Sequence, residues 1–148
     1  MWPTNQTDDA STRDGRAIMS ETEENTQFEE ELQSVCRTVV GDELRSITFF
    51  TDDDVRQVYL RSDLDRTADL IGFAEVERTG FEASRKYRGT QLGNYQATVR
   101  MFEKGYLTRV VSGRIGVWVT ADLMSMERFE ELSSALGTVL REHTRESA

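Results

Sequence analysis

Residues 94–123 read NYQATVRMFEKGYLTRVVSGRIGVWVTADL. Tyr95, Ala97, Val99 and Met101 alternate with Asn94, Gln96, Thr98 and Arg100, which is the two-residue period of a half-buried strand. EKG at 103–105 and SG at 112–113 then punctuate two tight hairpins, leaving strands near 106–111 and 114–120. Three strands joined by consecutive hairpins form an antiparallel meander, and the rest of the chain must supply its cover. Strand parity says how much cover is needed. If Ile115, Val117 and Val119 face one core, Trp118 points to the opposite face. Phe102 is out of step with Val99 and Met101 and joins it there. Two aromatics on a second face are covered either by a helix of the same chain or by another chain.

Downstream of the meander, Met126, Phe129, Leu132, Leu136, Val139, Leu140 and His143 recur at spacings of three and four, an amphipathic helix. His143, the single histidine, falls in its last turn, where a cation suits the helix dipole. Upstream, FFTDDDVRQVYLRSDLD at 49–65 sets three consecutive aspartates between two apolar, β-branched runs. The runs predict strands at 45–50 and 55–60, with the aspartates in the turn, where their side chains bond nearby backbone amides. Ser62 with Asp65 forms a capping-box pattern, so a helix is expected from about Leu64, with Leu70, Ile71, Ala74 and Phe81 on its buried face. The aspartate spacing misses the EF-hand pattern, so the carboxylates are read as turning and capping residues and no metal site is assigned.

The first element is expected at 26–40. Phe28, Leu32, Val35, Cys36 and Val39 form one helical stripe, Thr26 with Glu29 gives a capping box, and Gly41 supplies the stop. Cys36 lies inside the stripe and reads as a small core hydrophobe. Residues 1–25 hold the single proline and almost no apolar periodicity, and are read as a disordered acidic tail ahead of a domain at 26–145. Met19 is an alternative start to Met1.

The chain of 148 residues carries Lys+Arg 18 against Asp+Glu 27, a formal charge of −9. That balance argues against nucleic-acid binding, which needs a basic surface to release counterions. Among the basic residues only Lys86 and Lys104 are lysines, and an acid-rich, lysine-poor surface resembles that of proteins from salt-loving archaea. One cysteine excludes an internal disulfide framework. No apolar run suits a membrane span and no secretory signal is visible, so the expected location is the cytoplasm. With one histidine and one cysteine, zinc sites and Ser-His or Cys-His nucleophile systems lack parts, and no catalytic residue or cofactor is assigned. The one local excess of positive charge is Arg85, Lys86 and Arg88, with Tyr87 among them and Arg78 just before. It is read as a solvated loop, with an anionic ligand as the alternative.

The element order is therefore α-β-β-α-β-β-β-α, a single α+β domain with a five-stranded antiparallel sheet and helices on its faces. This order, with YQATVRMFEKGYLTRVV and GRIGVWVT as its central meander, resembles the profilin-like group and within it the roadblock/LC7 (MglB-like) domains. VYLRSDL and YQATVRMFEKGY are also similar to small haloarchaeal proteins. The roadblock resemblance implies that the strand at 94–101 lies on a sheet edge. It implies a non-catalytic regulatory or scaffolding module, a homodimer formed through that edge, and a small GTPase or other regulatory protein as partner. Gln96, Thr98, Arg100, Phe102 and Trp118 are the interface candidates. A small-molecule sensor or weak hydrolase using the Arg78–Arg88 region is the alternative function.

Overall fold

A computed structural model describes residues 21–70, 73–78 and 89–147. The chain divides into two compact units, Met1–Glu31 and Leu32–Ala148. The described part of the first is the leading stretch of helix α1 (Glu21–Val40), which begins ahead of the expected capping box at Thr26 and runs through it without a break. The second unit holds the rest of α1 and all other elements.

The second unit follows the expected order. A 3₁₀ turn, Gly41–Glu43, leads into β1 (Leu44–Thr51) and β2 (Val55–Leu60). A crossover carries the short helix α2 (Phe73–Arg78). The meander is β3 (Ala97–Phe102), β4 (Gly105–Ser112) and β5 (Ile115–Ala121), and the helix α3 (Met126–Ser147) closes the chain. Gly41 stops α1 at φ 76°, a left-handed conformation that glycine takes without a Cβ clash. Among the described residues the sheet has five strands in the order β2-β1-β5-β4-β3, with antiparallel pairing throughout. The strand carrying residues 97–102 is thus on an edge.

The two faces of the sheet are chemically unlike. One presents Ile47, Val110, Val117 and Val119, all buried, to the long helices. Tyr106 of β4 meets Phe129 of α3 edge-on at 4.7 Å between centroids, and Phe49 of β1 reaches His143 at 6.4 Å. Leu132, Leu136 and Leu140 of α3 are fully buried, as are Leu32 and Cys36 of α1. Gln33 of α1 donates to the carbonyl of Val58, and the Arg37 guanidinium lies 4.8 Å over the Tyr59 ring, which seats this end of α1 beside β2.

The opposite face mixes apolar and polar groups: Phe50, Leu107 and Trp118 beside Ser46, Thr48, Arg109 and Thr120, all buried. Val55, Leu70, Phe73 and Ala74 pack against the apolar three. Trp118 is therefore covered by its own chain. The covering segment departs from expectation, because no helix starts at Leu64. Residues 62–70 are a run of turns, with Ala68 N–H donating to Asp65 and Leu70 N–H to Thr67. The helix starts only at Phe73. Asp69 stands at φ 60°, which no α-helix accommodates. Its carboxylate accepts from Arg45 at 2.9 and 3.2 Å and from the Thr120 hydroxyl at 2.6 Å, and its carbonyl from Trp118 Nε1 at 3.3 Å. These tertiary bonds override the local capping signal of Ser62 and Asp65. Phe81, expected on the same helix, lies outside the described residues.

Two strand glycines sit where only hydrogen fits. A Cβ on Gly105 would lie 2.4 Å from the Ala121 carbonyl oxygen, and one on Gly116 would lie 2.4 Å from Phe50 Cζ. Gly105→Ala and Gly116→Ala should each cost about 1–3 kcal/mol in urea unfolding, Gly105→Ala more because backbone blocks it. Cys36 supplies a test of the helix-covered core. Burial pushes its thiol above the ordinary 9.0 to about 12. Between those values the unfolded chain has lost the proton that the folded chain keeps. Stability relative to a Cys36→Ala variant should therefore fall with rising pH, by up to about 1.4 kcal/mol per pH unit, and be flat below about pH 8.

Candidate interaction surface

Beyond its ladder with β4, β3 is tied to the domain by charge. Arg100 Nε donates to Glu77 of α2 at 2.6 Å, and Arg109 Nε on neighbouring β4 donates to the Glu77 carbonyl at 2.9 Å and lies 3.4 Å from its carboxylate. Arg109 Nη1 donates to the Tyr95 hydroxyl at 3.3 Å, and that hydroxyl is bonded to Thr98 Oγ1. The guanidinium also lies 5.5 Å over the Phe50 ring. Glu77 and Arg109 are buried, their side chains only 3% and 5% exposed, while Arg100 is nearly half exposed. One carboxylate thus ties a helix, an edge strand and an inner strand together. A second chain of charges runs along the sheet end: Asp63 pairs with Arg61, Arg61 with Asp122, Asp122 with Arg45, and Arg45 with Asp69. The Arg61 guanidinium holds the exposed Asp63 carboxyl below the usual carboxylate range.

Of the aspartates of 49–65, Asp52, Asp54 and Asp63 have side-chain partners. Thr51 Oγ1 accepts from the amides of Asp53 and Asp54, Asp54 Oδ1 accepts from Val55 N–H, and Asp52 pairs with Arg114.

What β3 offers outward is an open edge with apolar flanks. Met101 is 72% exposed, Phe102 47% and Val99 39%. Gln96 is exposed, Thr98 is half-buried, and Arg100 is engaged with Glu77. Phe102 stacks on Phe73 of α2 at 5.8 Å, nearly parallel. Trp118, grouped with these from sequence, is fully buried and has no surface to offer. Arg78 ends α2, and Arg85, Lys86, Tyr87 and Arg88 lie outside the described residues. The residues that position the edge, Glu77, Arg109 and Tyr95, were not picked out from sequence. An arginine in the apolar run YLTRVV of an inner strand was the available signal, because a buried guanidinium must have a partner.

Glu77→Ala would leave the Arg109 guanidinium buried without its carboxylate and should cost about 3–5 kcal/mol in urea unfolding. Glu77→Leu combined with Arg109→Met should recover most of that loss, which would separate charge burial from packing.

The fold has solved counterparts. It is similar to the gliding protein MglB from Thermus thermophilus, with a TM-score of 0.57 at 14% identity, covering 80% of this chain and 92% of that one. MglB in a tetrameric arrangement gives the same score and identity over 81% and 92%. Myxococcus xanthus MglB gives 0.50 at 14% over 78% and 91%. At such identities the likeness speaks for the fold alone, and it bears out the roadblock-type architecture. Among the described residues no helix is long and apolar enough to cross a membrane. No curated protein matches the chain. The family model described as Domain of unknown function (DUF7522) matches residues 30–141, which take in the whole sheet and most of both long helices, and the chain belongs to that family.

Proposed function

We propose that this protein is a non-catalytic regulatory or scaffolding module that works in the cytoplasm as a homodimer joined along β3. The observation that carries the reading is the outer edge of β3, unpaired among the described residues, with Val99, Met101 and Phe102 exposed beside it. An unpaired edge with apolar flanks and no proline is a template for another strand. The fold adds support, since a similar chain is known in a tetrameric arrangement. A small GTPase or another regulatory protein is the partner that the roadblock resemblance suggests.

The hairpin fixes which amides do the pairing. Phe102 and Gly105 flank the two-residue turn Glu103–Lys104 and are partners. They form the hydrogen-bonded pair next to the turn, so Arg100 and Thr98 direct their amides inward to β4. Ala97, Val99 and Met101 direct theirs to the free side. Val99→Pro removes one outward donor and spares the β4 ladder, whereas Thr98→Pro would strike the ladder itself. Light scattering at about 100 μM should give a dimer for the native chain and a folded monomer for Val99→Pro. A native monomer would refute the module, and a Val99→Pro dimer would refute the edge.

A further inference from the structure

At the turn end of β3, a cavity of about 260 Å³ opens at the end of the polar face. Its lining includes Phe73, Phe102, Lys104, Arg45, Thr120 and Gly105. The volume falls just below the range of drug-sized pockets and suits a ligand of about ten non-hydrogen atoms. Three observations define its chemistry. The Phe73–Phe102 pair, 5.8 Å apart and 18° from parallel, is a stack of two rings that lends aromatic surface to the lining. Arg45 is fixed by two bonds to Asp69, while its Nη1 lies 3.5 Å from the Asp122 carboxylate, a loose contact that leaves donor capacity. Lys104 makes no ion pair among the described residues. Arg45 is balanced by Asp69 and Asp122, so Lys104 is the cation that adds charge to this lining, in a chain of net charge −9.

We propose that this cavity binds a small aromatic carboxylate, its ring against Phe73 and Phe102 and its carboxylate received by Lys104 and Arg45. Aromatic surface in the lining selects a ring over a branched aliphatic body, since ring–ring contact adds to simple burial. Lys104, with the remaining donors of Arg45, selects the charged over the neutral form.

Phenylacetate is a suitable probe, with phenylacetamide as the uncharged control of the same shape and acetate as the control without a ring. Titration of the full chain, followed by calorimetry and by amide chemical shifts, should give saturable binding of phenylacetate with a Kd of about 1 mM or tighter. The shifts should centre on Gly105 and Thr120. Phenylacetamide and acetate should each bind at least about tenfold more weakly. Lys104→Gln, an exposed turn substitution, should weaken phenylacetate by about tenfold and leave the unfolding midpoint unchanged. Absence of saturation at about 10 mM, equal binding of phenylacetamide, or shifts centred elsewhere would each overturn the proposal.

Discussion

Asp69 is the residue on which the second half of the architecture turns. Its carboxylate takes three hydrogen bonds, two from Arg45 and one from Thr120, and its carbonyl a fourth from the Trp118 indole. Those bonds reach two different strands, so they pin the crossover between β2 and α2 at a single place over the sheet. The left-handed φ at that position is the local cost, on the order of 1 kcal/mol for a residue of this type. With Asp69 fixed, Leu70, Phe73 and Ala74 fall onto Trp118, Phe50 and Leu107. Glu77, one turn further along, then reaches Arg109 and Arg100.

The contrast between the faces explains why so short a segment suffices. The face under the two long helices is mainly apolar, where burial alone gives cohesion and many arrangements would serve nearly as well. The face under the crossover holds Ser46, Thr120, Arg109 and Glu77 out of water. The Ser46 hydroxyl donates to Thr120 Oγ1 at 2.5 Å, and the Thr120 proton goes to Asp69. Buried pairs such as Glu77–Arg109 are weak contributors to net stability, because desolvation offsets the attraction. They do discriminate: a buried guanidinium accepts only a cover that brings a carboxylate, and α2 brings one.

Elements whose signals are local were legible in the sequence. The meander, both hairpin turns, the edge-neighbouring alternation and the stripes of α1 and α3 follow from periods of two and of three to four. The parity that separated Trp118 from Val117 and Val119 was also a local fact, and it placed the tryptophan on the correct face. What failed was the stretch from Ser62 to Leu70. Its capping pattern is real as a pattern, but Asp69 answers to Arg45 and Thr120, which stand 24 and 51 positions away. No window of neighbouring residues contains that information. The site residues divide the same way. Arg100 and Phe102 were named because they lie on the meander. Glu77 and Tyr95 were missed because their roles exist only through Arg109, across the fold.

The two sheet margins differ in a way that bears on how far assembly can go. None of the six residues of β2 is exposed, the strand carries a register shift opposite Ile47 and Thr48, and the Val58 carbonyl is occupied by the Gln33 side chain. Four of the six residues of β3 are exposed, in regular register with β4. A sheet with two inviting margins can add copies head to tail without end, as in a fibril. A sheet with one guarded and one inviting margin has a single valence. Two copies that meet at that margin about a twofold axis consume it on both sides, and growth terminates there. The shift in β2 and the glutamine of α1 thus leave β2 the less inviting of the two margins.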